Sequence, residues 1–161
     1  MKKILLLACV SVIAFSSVRA QESLSAGNLM FQTNVTDLSV SFIDDFSIGL
    51  SVRGGYFVAD KLPVLAGIGV GYADPVTAFS LQLGLGYYLY EGLYLNALGS
   101  LQYVDVDGYG DSTQFGLIGE LGYAIFLSDR IAIDPKLILN VPFKDGLKTS
   151  LGLGCGFTIF F

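Results

Sequence analysis

Arg53, Glu120, Asp134 and Lys136 are charged residues set in segments otherwise built from apolar residues, glycine and small polar groups, and any chemistry in this chain starts with them. Two carboxylates converging in a cleft can divide acid and base work between them. Glu120 and Asp134 are the one pair placed for that. Two cations and two carboxylates can instead neutralise one another, and a buried setting demands it, because an isolated buried charge is strongly unfavourable. The expected arrangement is a salt-bridged network of Arg53, Glu120, Asp134 and Lys136, helped by Gln82, Asn96, Gln102 and Asn140. The chain has no histidine, so imidazole cannot activate a serine or a water. No catalytic residue, cofactor or metal ligand is assigned, and the protein is expected not to be an enzyme.

Two other features invite chemical readings. Residues Asp105 to Asp111 (DVDGYGD) have the flavour of a calcium loop. Their fifth position is Tyr109, however, and the twelfth is Gly116 where a bidentate glutamate belongs. A solvated loop is the expectation, and calcium bridging of these aspartates to phosphates outside the chain stays open. Of the two cysteines, Cys9 falls in the leader described below and Cys155 is left alone, which excludes an intramolecular disulfide or a thiolate metal cluster.

The elements that carry these residues are strands. From Leu147 to Phe161, every second residue is mostly large and apolar (Leu151, Leu153, Phe157, Ile159), while the residues between include Gly152, Gly154 and Gly156. Successive side chains of a strand point to opposite faces, so the segment has one bulky apolar face and one small or polar face. Seven further segments alternate similarly, giving approximate spans 28–43, 46–58, 62–73, 77–90, 93–104, 113–127, 131–141 and 147–161. The first is the least regular. Leu29 and Phe31 fit one frame and Leu38, Val40 and Phe42 the other, which a β-bulge near Val35 to Asp37 would reconcile.

The connections fall into two classes. Ala59-Asp60-Lys61, Glu91-Gly92 and Ser128-Asp129-Arg130 are tight. The alternate connections lie around Asp44-Asp45, Asp74-Pro75, Asp105 to Ser112 and Pro142 to Gly146. Three tight and four looser connections match an up-and-down barrel. A Gly-Tyr echo precedes each tight turn, and Tyr56, Tyr87 and Tyr123 all fall on the apolar parity, as an aromatic girdle at the periplasmic interface would. Phe42, Phe46, Tyr72, Phe79, Tyr103 and Phe115 are placed for the external girdle.

Mean hydropathy is +0.64, yet no apolar run after residue 20 approaches the roughly 20 residues of a spanning helix. Only helices and closed barrels pair all their backbone groups within lipid, and alternation selects the barrel. A soluble barrel would place a charged face in water. Here the second face is glycine, serine and amide with few charges, which suits a narrow interior. The fold class expected is all-β: an eight-stranded antiparallel up-and-down transmembrane β-barrel.

Residues 1–20 read as a signal peptide, with basic Lys2 and Lys3, an apolar Ile4 to Phe15 stretch and a Val18-Arg19-Ala20 cleavage site. A lipoprotein site at Cys9 would leave almost no apolar stretch before it. The barrel domain is then 21–161, with six basic against fourteen acidic side chains. That balance argues against nucleic acid as a partner.

The stretch from Gly55 to Tyr72 (GYFVADKLPVLAGIGVGY) resembles the second hairpin of the small outer-membrane β-barrel family common in Bacteroidetes, related in architecture to the OmpX, OmpW and OmpA transmembrane barrels. The terminal strand resembles the closing strand of such barrels, in which a final aromatic residue, here Phe161, is read by the β-barrel assembly machinery. The resemblance implies a Gram-negative outer-membrane location, contact with outer-membrane lipid and lipopolysaccharide, and a monomer. It carries no functional residue with it. No peptidoglycan-binding domain of the kind in full-length OmpA proteins is expected, so no wall anchor is implied. A structural or surface-interaction role with a plugged lumen is expected first, and an OmpW-like path for a small or hydrophobic solute second.

Overall fold

The computed structural model describes residues 23–36, 47–73, 76–90, 92–106, 110–143 and 149–161. The signal peptide, Phe42, Phe46, Asp44-Asp45, Asp74-Pro75, Asp107 and most of the connection from Pro142 to Gly146 lie outside them. Nine strand segments follow in chain order: β1 (Leu29–Thr36), β2 (Ser47–Ala59), β3 (Leu62–Ala73), β4 (Val76–Tyr90), β5 (Leu93–Val106), β6 (Gly110–Tyr123), β7 (Ile125–Ser128), β8 (Ile131–Pro142) and β9 (Ser150–Phe160). Each pairs antiparallel with its neighbour, and β1 pairs with both β2 and β9, which closes the sheet. Both β6 and β7 pair with β8, so together they make one wall strand. The result is a closed eight-stranded antiparallel barrel.

The wall strand expected at 113–127 is interrupted at Ala124. On either side the register is the same, Gly122 opposite Lys136 and Ile125 opposite Ile133. Between them Tyr123 faces Pro135, which has no N–H to give to the ladder. The Ala124 amide instead donates to the Gly92 carbonyl at 2.8 Å. Gly92 has φ 113°, and a Cβ there would sit 2.5 Å from the Ala124 oxygen, so only glycine fits this turn.

The register defines the bore. Stepping across the strands from Leu29 through Tyr56, Val64, Leu85, Ala97, Gly119, Leu139 and Leu151 returns to the line of β1 about ten positions on, a stagger that tilts eight strands by roughly 40° and leaves a narrow bore. Ladder shifts occur at Phe57/Ala59, Tyr88/Tyr90 and Phe126/Ser128, each just before a tight turn. The β1 ladder runs unshifted through Thr36 against both neighbours. The acidic hairpin is tighter than the expected loop from Asp105 to Ser112: pairing continues to Asp105 opposite Asp111 and Val106 opposite Gly110.

Burial inverts the pattern of a water-soluble protein. Leu50, Ile68, Leu81, Leu83, Leu117 and Leu153 are exposed on the outer face, whereas Gln32, Asn34, Arg53, Glu120, Asp134 and Lys136 are buried inside. Such a surface is compatible with hydrocarbon and not with water. Leu83, 65% exposed, stands in the outward row between Ala66 and Gly99. Leu83→Arg is expected to destabilise the barrel by about 2–4 kcal/mol, as a charge near the bilayer midplane does. Urea unfolding in lipid vesicles, read by the gel mobility of folded against unfolded barrel, checks this; an unchanged midpoint would place the face outside lipid.

Candidate functional site: the lumen

The lumen is stacked in three levels. At the tight-turn end lies an apolar floor. The ladder shifts that end β2, β4 and β7 lie beside Phe57, Tyr88 and Phe126, all buried inside, where they meet Tyr94 and Phe160. Ring centroids are 5.9 Å apart for Phe57–Tyr88, 5.3 Å for Tyr88–Tyr94, 6.4 Å for Phe57–Phe160 and 5.4 Å for Phe126–Phe160. Gly122 makes room for Tyr94, since a Cβ on Gly122 would overlap the Tyr94 ring.

The residues before β1 close this end. Leu24 is buried, and its carbonyl accepts from the Lys61 amide at 2.8 Å. The Ala26 amide donates to Asp60 Oδ1 at 2.8 Å, the Gly27 amide to the Phe57 carbonyl at 2.8 Å, and the Ser23 hydroxyl to the Asp129 carbonyl. Residues 23–28 are therefore a strap tied to two of the tight turns.

Above the floor lies the charged level. Arg53 Nη1 and Nη2 donate to the two oxygens of Glu120 at 2.8 and 3.0 Å, a bidentate pair across the bore from β2 to β6. Lys136 Nζ is 3.5 Å from Glu120 Oε2, and Asn96 Nδ2 donates to that oxygen at 2.8 Å. Arg53 Nη2 also donates to Gln82 Oε1 at 2.6 Å and Nη1 to Gln32 Oε1 at 3.2 Å. Asp134 has a different environment. Its Oδ2 accepts from Gln32 Nε2 at 3.2 Å and from the Thr158 hydroxyl, its Oδ1 has no partner, and among the described residues no cation lies within ion-pair distance. Lys136 completes its contacts by donating to Asn34 Oδ1. Glu120 is thus the hub, ion-paired to both cations.

The four charged residues named from sequence share one level, with Gln82 and Asn96 joined to them. Gln102 and Asn140 are not part of it; they line a higher level toward the looser connections. Sequence reasoning missed Gln32, Asn34 and Thr158. Their signal was present: Gln32 and Asn34 alternate with outward Phe31 and Thr33, but the conflicting frame after Asp37 obscured it. Tyr56 and Tyr87 are half-exposed on the outer face at the tight-turn end. Tyr123 lies at the wall break with its hydroxyl buried and unpartnered. Phe161 projects outward, and its backbone exchanges hydrogen bonds with Leu29 at 2.8 and 3.1 Å. Cys155 is on the outer face.

No family model and no curated sequence matches the chain. Solved structures do. The N-terminal β-barrel domain of Pseudomonas aeruginosa OprF superposes with a TM-score of 0.65 at 15% identity, covering 84% of this chain and 98% of that one. Neisserial surface protein A (NspA) gives 0.64 at 19%, covering 83% and 96%. The outer membrane protein OprG of Pseudomonas aeruginosa gives 0.51 at 14%, covering 85% and 97%. The fold is that of the small outer-membrane β-barrels. At these identities the likeness is one of fold.

The hub geometry sets an asymmetry. Glu120→Gln leaves two buried cations short of a counter-charge, at a cost of about 3–5 kcal/mol. Arg53→Met leaves Glu120 still beside Lys136 and Asn96, so its cost is expected to be less than half as large. Urea midpoints of the two variants check the order, and equal losses would remove Glu120 from its central position.

Proposed function

We propose that the protein is a non-enzymatic outer-membrane barrel of a Gram-negative envelope, with a structural or surface-interaction role and a lumen closed to solutes. The observation that carries this reading is the pair of closures in series. The Arg53–Glu120–Lys136 level spans the bore, and the aromatic floor with Leu24 lies directly beneath it. A solute would have to break a bidentate ion pair in a low-dielectric setting and then displace packed rings. The apolar outer face fits outer-membrane lipid and the acyl chains of lipopolysaccharide, and the barrel closes on itself without a second copy. The likeness of the Gly55 to Tyr72 hairpin to Bacteroidetes barrels belongs to the same proposal.

An OmpW-like transporter would need a continuous path, which two closures oppose. Planar-bilayer recording decides between the readings. The purified barrel is expected to give no steady conductance, and a steady single-channel current overturns the plug.

A further inference from the structure

We propose that the upper lumen, above the Arg53–Glu120 pair, is a binding cup for a neutral, hydroxyl-rich ring of the monosaccharide class. Two adjoining hollows of about 140 and 220 Å³ share Gln102 and Asn140 on their walls. A cavity of about 150 Å³ accepts a six-membered ring such as benzene, so the space suits one ring rather than a chain or a peptide.

Charge selects against ions. The terminal nitrogens of Arg53 are taken by Glu120, Gln32 and Gln82, and both Glu120 oxygens by Arg53, Asn96 and Lys136. The pair therefore presents a neutralised base to the cup, and an anion or cation would have to break it to bind. A hydrocarbon is disfavoured for the opposite reason. The Gln102 and Asn140 carboxamides have no hydrogen bond among the described residues, and an apolar occupant would desolvate both without replacing their water.

The remaining walls are mixed. Ile118 and Ile138 are apolar, Ser51, Ser80 and Gln82 are polar, and Gly69 and Gly71 add no side chain of their own. A sugar ring has the matching distribution, with a C–H face for the isoleucines and hydroxyls that both donate and accept for the amides. Gly71 supplies width: a Cβ there would meet only Ala78 Cβ at 3.9 Å, so the space beside it is open. The cup is blind if the plug holds, which makes it a place for capture rather than passage.

The test is a titration of the ¹⁵N-labelled barrel in nanodiscs with methyl α-glucopyranoside, following the side-chain amide resonances of Gln102 and Asn140. Saturable shifts with a dissociation constant on the order of 1 mM are expected. Gly71→Leu, which fills the cup, and Asn140→Leu, which removes an amide, should each weaken binding at least tenfold. Leu83→Ala on the outer face should not change it. Absence of saturable shifts, or undiminished binding to Gly71→Leu, overturns the proposal. So does acetamide or inorganic phosphate saturating the same resonances more tightly than the glycoside, which would make the cup an amide or an anion site. The cup is read by titration and the plug by conductance, so the failure of one is distinguishable from the failure of the other.

Discussion

Closure of the backbone ladder is the constraint on which everything else in this molecule rests. Lipid offers no partner for an N–H or a carbonyl, so the sheet must pair β1 with β9 and leave no edge. With eight strands, closure leaves a narrow bore. A narrow bore needs residues without bulk on much of its wall and neutralised charges where bulk enters. The inward glycines, the Glu120 hub and the aromatic floor are all answers to that requirement. The outward face answers a different one, which is to be as apolar as the solvent it meets.

The charged level and the floor hold the bore together in different ways. The ion pairs are directional and hold opposite walls at fixed distances. Their net contribution to stability is modest, because removing four charges from water offsets most of the attraction. The floor is non-directional and gains from excluded water and ring contacts. A charge at mid-bore needs polar partners, as Asp134 finds in Gln32 and Thr158. Placed above a dry floor, and shared between β2, β5, β6 and β8, the Glu120 carboxylate is fully used.

Most of the wall was legible in the sequence because a period of two is a strong signal when one face meets lipid. Tight turns, inward parity of the four charges and outward parity of Tyr56 and Tyr87 could be read directly. Three things could not. Alternation assigns Phe57, Tyr88 and Phe126 to the inner face but does not say that they converge at one height, because the register that sets height is a property of closure. The break at Ala124 has its cause in Pro135, a residue on another strand. Asp134 was grouped with the ions because its parity is theirs, yet Gln32 and Thr158 hold it, and those belong to the two strands that meet at the seam.

That seam joins the parts of the barrel that are farthest apart along the chain, and such pairings are slow to form because the intervening loop must close first. The strap at residues 23–28 reaches across it, holding Asp60 and Lys61 on one side and Asp129 on the other. Its contacts to Phe57, Asp60 and Lys61 need only β1 to β3, but the bond from Ser23 to Asp129 exists only after β1 and β9 have met, so it does little to hasten closure. It acts on the reverse step, since separation of the seam must break it. The strap is in this sense a latch on lifetime, slowing the opening of the seam more than it speeds its closing.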